Sequence, residues 1–139
     1  MKKTFRGRLA DGGQDTIKLS TNNGLTGYKI VKFQGLPGEP GNDNFESVMK
    51  IFTNEPDSVT NTMNFSNPTL LGVLFYTSYG VGGANTDVVV FDNAVFNQDI
   101  YITYKESSGG ASGELFNYHI ELEQVKLSKD EATVATLKD

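Results

Sequence analysis

The segment LFNYHIELEQVKL, residues 115–127, constrains the fold more than any other stretch. Phe116, Tyr118, Ile120 and Leu122 alternate with Asn117, His119, Glu121 and Glu123, so apolar and polar side chains take turns. Successive side chains of an extended chain point to opposite faces, whereas a helix would scatter these residues around its axis. The segment is a strand with one face on a core and the other in water. Its apolar phase then slips to Val125 and Leu127, which predicts a β-bulge near Glu123 and Gln124.

Further strands follow from the same alternation. TIKLS (16–20) repeats it through Ile17 and Leu19, and Asn23-Gly24 behind it suits a tight turn. YKIVKFQ (28–34) turns Tyr28, Ile30 and Phe33 inward, and SVMKIFT (47–53) is β-branched and aromatic. DVVVF (87–91) and DIYITYK (99–105) continue the series. LLGVLFYTSY (70–79) is apolar on both faces, as in a strand buried on both sides or one that closes a subunit interface. Near the N-terminus, Lys2, Lys3, Arg6 and Arg8 interleave with Phe5, Gly7 and Leu9. That alternation favours the wet face of a strand over a basic arm gripping an acidic neighbour.

Clusters such as ADGGQD, TNEPDS, SNPT and ESSGGASGE separate these runs and carry turn residues. Ser128 and Glu131 have capping-box spacing, and EATVATLK behind them predicts a short C-terminal helix with Val134 and Leu137 as its apolar contacts. Eight or nine short strands and one helix, with no repeat or linker, make residues 1–139 a single all-β domain. The expected form is a β-sandwich of jelly-roll type, with other Greek-key sandwiches open.

GLPGEPG (35–41) has collagen-like register for only two triplets before Asn42-Asp43-Asn44 ends it. A triple helix needs glycine at every third residue over many turns. The segment is expected to be an exposed strand-to-strand loop stiffened by Pro37 and Pro40, with Leu36 as an apolar tip for a partner subunit.

No chemistry emerges. With no cysteine and a single histidine, zinc and copper sites have too few ligands. His119 lies on a polar strand face and is expected to be solvated or hydrogen-bonded rather than catalytic. GVGGA (80–84) lacks the Lys-Ser/Thr that phosphate binding needs. Asp11 and Asp15, or Asp43, supply oxygen ligands for calcium, but neither loop has EF-hand spacing. Glu121 and Glu123 share a strand face without other marks of an active site. The expectation is a protein that is not an enzyme and needs no cofactor.

The net charge of −5 argues against nucleic acid as a partner, because an acidic surface repels phosphate. No apolar run approaches membrane-spanning length, and the start MKKTFRGRLADGG does not read as a signal peptide. Tyr76 and Tyr79, then Tyr101 and Tyr104, fall near strands whose other faces are also apolar. Exposed tyrosines would stack on sugars or sit in an interface; buried ones would be core.

Four stretches carry a resemblance: KKTFRGRLADG, GLTGYKIVKFQ, FDNAVFNQDIYITYK and YHIELEQVKLSKDEATVATLKD. They resemble small virion proteins of tailed phages, especially marine phages such as cyanophages. The resemblance implies a β-structured virion component, assembled in the host cytoplasm and localised to the virion, with no catalytic residues to carry over. Its implied partners are further copies of itself and other virion proteins such as the major capsid protein. Contacts are expected at Leu36, Pro37 and Pro40, at Tyr76 and Tyr79 in segment 70–79, and at Val134 and Leu137. The alternative is a carbohydrate- or receptor-binding sandwich, which requires an exposed tyrosine cluster. A trimeric head of the kind that follows a collagen stalk ranks below both, because here the triplets interrupt the domain.

Overall fold

The computed structural model describes residues 1–19, 25–38, 45–78, 84–91, 95–107 and 115–136. Its strands are β1 (Lys2–Leu9), β2 (Gln14–Ile17), β3 (Thr26–Pro37), β4 (Phe45–Phe52), β5 (Leu70–Ser78), β6 (Ala84–Val90), β7 (Ile100–Glu106) and β8 (Phe116–Lys126). One helix, α1 (Lys129–Thr136), follows. The strands form two antiparallel sheets, β1-β8-β3 and β2-β7-β4-β5-β6, packed face to face as an all-β sandwich.

The order is that of a long hairpin rolled into a jelly roll, which pairs β1 with β8, β2 with β7 and β4 with β5. The fourth pairing of such a roll, β3 with β6, is absent among the described residues. β6 stays bonded to β5 in the opposite sheet. The three-stranded sheet is thereby one strand short.

The core forms where the inward sets meet. Phe116, Tyr118, Ile120 and Leu122 of β8 face Met49, Ile51, Leu74, Ile102 and Tyr104 across the sandwich. Ile120 is fully buried, as are Ile100 and Ile102, and each such side chain contributes about 2 kcal/mol relative to exposure. Tyr104 stacks on Phe116 at 5.1 Å between ring centroids, and Tyr76 meets the same ring edge-on at 5.4 Å.

The bulge lies elsewhere than the alternation of β8 predicts. β8 runs in register through Glu123 and Gln124, and the extra residue is Val31 on β3, between the pairs Ile30↔Leu122 and Lys32↔Glu121. That extra residue brings Tyr28, Ile30 and Phe33 all inward despite their uneven spacing. The phase slip belongs to the neighbouring strand, so β8 alone could not locate it.

Two further expectations meet the structure differently. GLP is not a loop: Gly35, Leu36 and Pro37 extend β3 along β8, with Pro37 opposite Phe116. Pro37 is tolerated because it ends an edge strand. The capping box, by contrast, is reciprocal. Glu131 N donates to Ser128 Oγ at 3.2 Å, and Ser128 N donates to Glu131 Oε1 at 3.0 Å. The Ser128 backbone N–H, aided by the Ser128 hydroxyl, holds the Glu131 carboxyl below its usual range.

Candidate functional site

While Val89 of β6, opposite Val73, stays 41% exposed, the outer face of the five-stranded sheet is covered over β4 and β5 by the chain itself. Val48, Phe52, Leu70 and Val73 are buried there, with Phe75 and Phe91 packed against them. Residues 53–69 run over this face, and Lys50 ties them down. Its side chain sits in the apolar face with the residue only 4% exposed. Its Nζ donates to the Thr62 carbonyl at 2.7 Å and to Thr60 Oγ1 at 3.2 Å, and lies 5.6 Å from the centre of the Phe52 ring. Burial favours the neutral amine and lowers the Lys50 pKa.

Among the described residues, no segment covers the outer face of the three-stranded sheet. Cross-strand registers arrange it in four rows: Lys2–Glu123–Lys29, Thr4–Glu121–Lys32, Arg6–His119–Gln34 and Arg8–Asn117–Leu36. The first two rows pair lysines with glutamates, and Lys2 Nζ reaches Glu121 Oε2 at 3.4 Å. The last two rows contain two arginines and no carboxylate. A groove of about 1120 Å³ opens over them and continues past Lys32 and Val31 to Val88 and Val90 of β6. Arg6, Arg8 and Lys32 line it, and no Asp or Glu does among the described residues. His119 is half-buried in its floor, with no hydrogen-bond partner at Nδ1 among the described residues.

Two glycines shape the sheet beneath this groove. Gly7 and Gly35 both pair with Tyr118, one from each side. A Cβ on Gly7 would lie 2.6 Å from the Tyr118 hydroxyl oxygen, and one on Gly35 would lie 2.6 Å from Phe116 Cε2. The rings fill the space the glycines leave. Tyr118 Oη donates to Asp15 Oδ2 at 2.7 Å, which ties β8 to β2 of the other sheet. Burial pushes the Tyr118 hydroxyl pKa up, and the hydrogen bond to Asp15 and its charge add to the rise.

The calcium candidates have structural roles. Asp15 accepts from Tyr118, while Asp11 Oδ1 accepts from the Glu106 backbone N–H at 2.8 Å and lies 3.6 Å from Lys105 Nζ. Asp43 lies outside the described residues. No group of three or more His, Asp or Glu side chains is placed to hold a metal ion among the described residues. The Glu121 carboxylate is occupied by Lys2.

Of the expected contact residues, Leu36 is 70% exposed and lines the groove, and Pro37 beside it is half-buried. Tyr76 is a core residue packed on Phe116. Pro40, Tyr79 and Leu137 lie outside the described residues, as does the side chain of Val134. Segment 70–78 is buried on both sides within one chain, the first of its two expected states. Tyr28, Tyr76, Tyr104 and Tyr118 are buried and Tyr101 is half-buried, so the described residues present no exposed tyrosine row.

Sequence reasoning missed Lys32, Val31 and the valines of β6 as groove residues. It also missed the cover formed by 53–69, for which the signal was present: a lysine inside the apolar run SVMKIFT. Nor is the surface uniformly acidic, because a net charge of −5 coexists with a basic groove. No protein-family model matches the chain, and no curated protein matches it.

Proposed function

We propose that this protein is a non-enzymatic structural component of a phage virion, a capsid decoration or tail-associated piece, that works by docking on other virion proteins. The observation that carries the docking is the asymmetry of the two sheets. Residues 53–69 cover one outer face over β4 and β5, while the other presents an open basic groove and the exposed Leu36. A surface of mixed apolar and cationic character beside a rigid sandwich fits attachment to a larger, acidic partner such as a major capsid protein. The contact surface is the sheet β1-β8-β3 rather than segment 70–79. The virion setting comes from the resemblance of the four quoted stretches to small phage proteins.

Carbohydrate binding is the less favoured alternative, because the tyrosines that would stack on sugars are buried among the described residues. Mass spectrometry of purified particles from the source of the sequence tests the virion role. The protein is expected in fixed stoichiometry to the major capsid or tail proteins, and recovery only in the unassembled fraction would overturn it. Light scattering of the isolated protein addresses self-association, and a defined oligomer is expected if copies also contact one another in the particle.

A further inference from the structure

Among the described residues, β3 has a full strand along one side only. It pairs with β8 from Thr26 to Pro37, and on its other side the described residues supply one bridge, Tyr28 to Phe96, near its start. From Val31 to Leu36 no strand is hydrogen-bonded to this side among the described residues, although β6 packs close to β3 across the sandwich. A rolled eight-strand hairpin would put β6 there, but β6 is held by β5 in the other sheet.

What lies beneath that open position follows from packing. A Cβ on Gly72 would meet Phe33 Cδ2 at 3.6 Å, and a Cβ on Gly35 would meet Leu74 Cδ1 at 3.1 Å, so β3 lies over β5. β6 also packs close to β3, so the next position in the three-stranded sheet, about 4.8 Å further out, borders β6. Thr86, Val88 and Val90 face that position, because they pair with the inward-facing Tyr76, Leu74 and Gly72. Val88 is left 41% exposed and Val31, on the edge itself, 39%.

We propose that the groove accepts one extended acidic segment of a partner protein, which adds to the free edge of β3 as a fourth strand. The inference deepens the docking function and rests on it only for the partner's being a virion protein. Alternate side chains of the added strand meet different surroundings. One set lies on Val88 and Val90; the other faces water beside Lys32, with Arg6 and Arg8 further across the same groove. Main-chain bonds to β3 supply affinity, and the apolar-acidic alternation supplies specificity. A second copy of the chain is the poorer occupant. Pairing β3 with itself brings Lys29 and Lys32 of both copies to one seam, and lysines on an edge strand oppose such pairing.

The test uses isotope-labelled protein titrated with synthetic peptides that alternate valine with glutamate or valine with lysine. Backbone amide exchange is followed by NMR. The glutamate peptide is expected to slow exchange at the edge between Val31 and Leu36 and to bind more weakly as salt is raised. Lys32→Gln should weaken binding about threefold, and Val88→Lys about tenfold, with melting temperatures unchanged because both side chains are exposed. Failure of the glutamate peptide to bind, equal binding of the lysine peptide, or protection mapped elsewhere would overturn the proposal. Protection of the same edge by protein concentration alone would identify a second copy as the occupant and overturn it as well. If the peptide binds as expected but the protein is absent from particles, the virion role fails and the edge site stands.

Discussion

On the five-stranded sheet, Lys50 points outward and is buried, its ammonium bonded to Thr60 and Thr62 of the chain's own cover. On the three-stranded sheet, Arg6 and Arg8 also point outward and stand exposed in an open groove. Both faces begin from a strand with cations at outward positions. They differ in what else the strand carries. Val48 and Phe52 flank Lys50 on its face, so that face needs a cover, and residues 53–69 provide it. Gln34 and Asn117 neighbour the arginines and are exposed to water. An outward cation therefore marks a surface for partners only where its strand neighbours are polar.

The sharpest way to break this contrast is to place one charge on each face. Val73→Lys buries a second ammonium directly opposite Lys50 under the 53–69 cover and should cost roughly 4 kcal/mol or more in denaturant unfolding. A loss below about 1 kcal/mol would mean that the cover opens readily. Gly7→Ala tests whether the bare sheet is as strict on its inner face as it is tolerant outside. The new methyl group forces Tyr118 from its place and from Asp15, for an expected loss of about 1–3 kcal/mol. Unchanged stability would show that the ring shifts freely.

Lys50 offers a subtler handle through pH. The unfolded chain keeps this proton up to the ordinary lysine value of 10.5, and the folded chain releases it at lower pH. Between those two points the unfolded state binds more protons, so the contribution of Lys50 to stability rises with pH. Wild type should gain on Lys50→Met as pH is raised toward 10.5, measured by urea unfolding at successive pH values. A flat difference would place the ammonium in water rather than under the cover. Arg6→Asp completes the set and should change stability by no more than about 0.5 kcal/mol.

How legible this was in the chain varies with the range of the interaction. Phe116 to Leu122 show their inward face by alternation, and Ser128 with Glu131 show the helix start by spacing; both depend on residues a few positions apart. The bulge at Val31 was assigned to the wrong strand, because a phase slip can be absorbed by either member of a pair. Gly7 reads as an inward strand position and Gly35 as the start of a loop, yet the role of both is to admit Tyr118 and Phe116 from another strand. Leu36 was legible as an exposed apolar side chain but not as part of a groove with Arg6, Arg8 and Val88, which come from two other strands in two sheets.

The sequence by itself determined the strands, their buried faces, the capped helix and the sandwich class, since period and capping are local properties of the chain. Only the tertiary structure decided which outer face the chain covers over its centre and which is left open among the described residues, where the basic residues gather on an acidic protein, and that β6 pairs with β5 rather than β3 among the described residues. Those outcomes depend on which strands become neighbours. Strand neighbours are chosen by the packing of the whole core, and no single strand carries that choice in its own alternation.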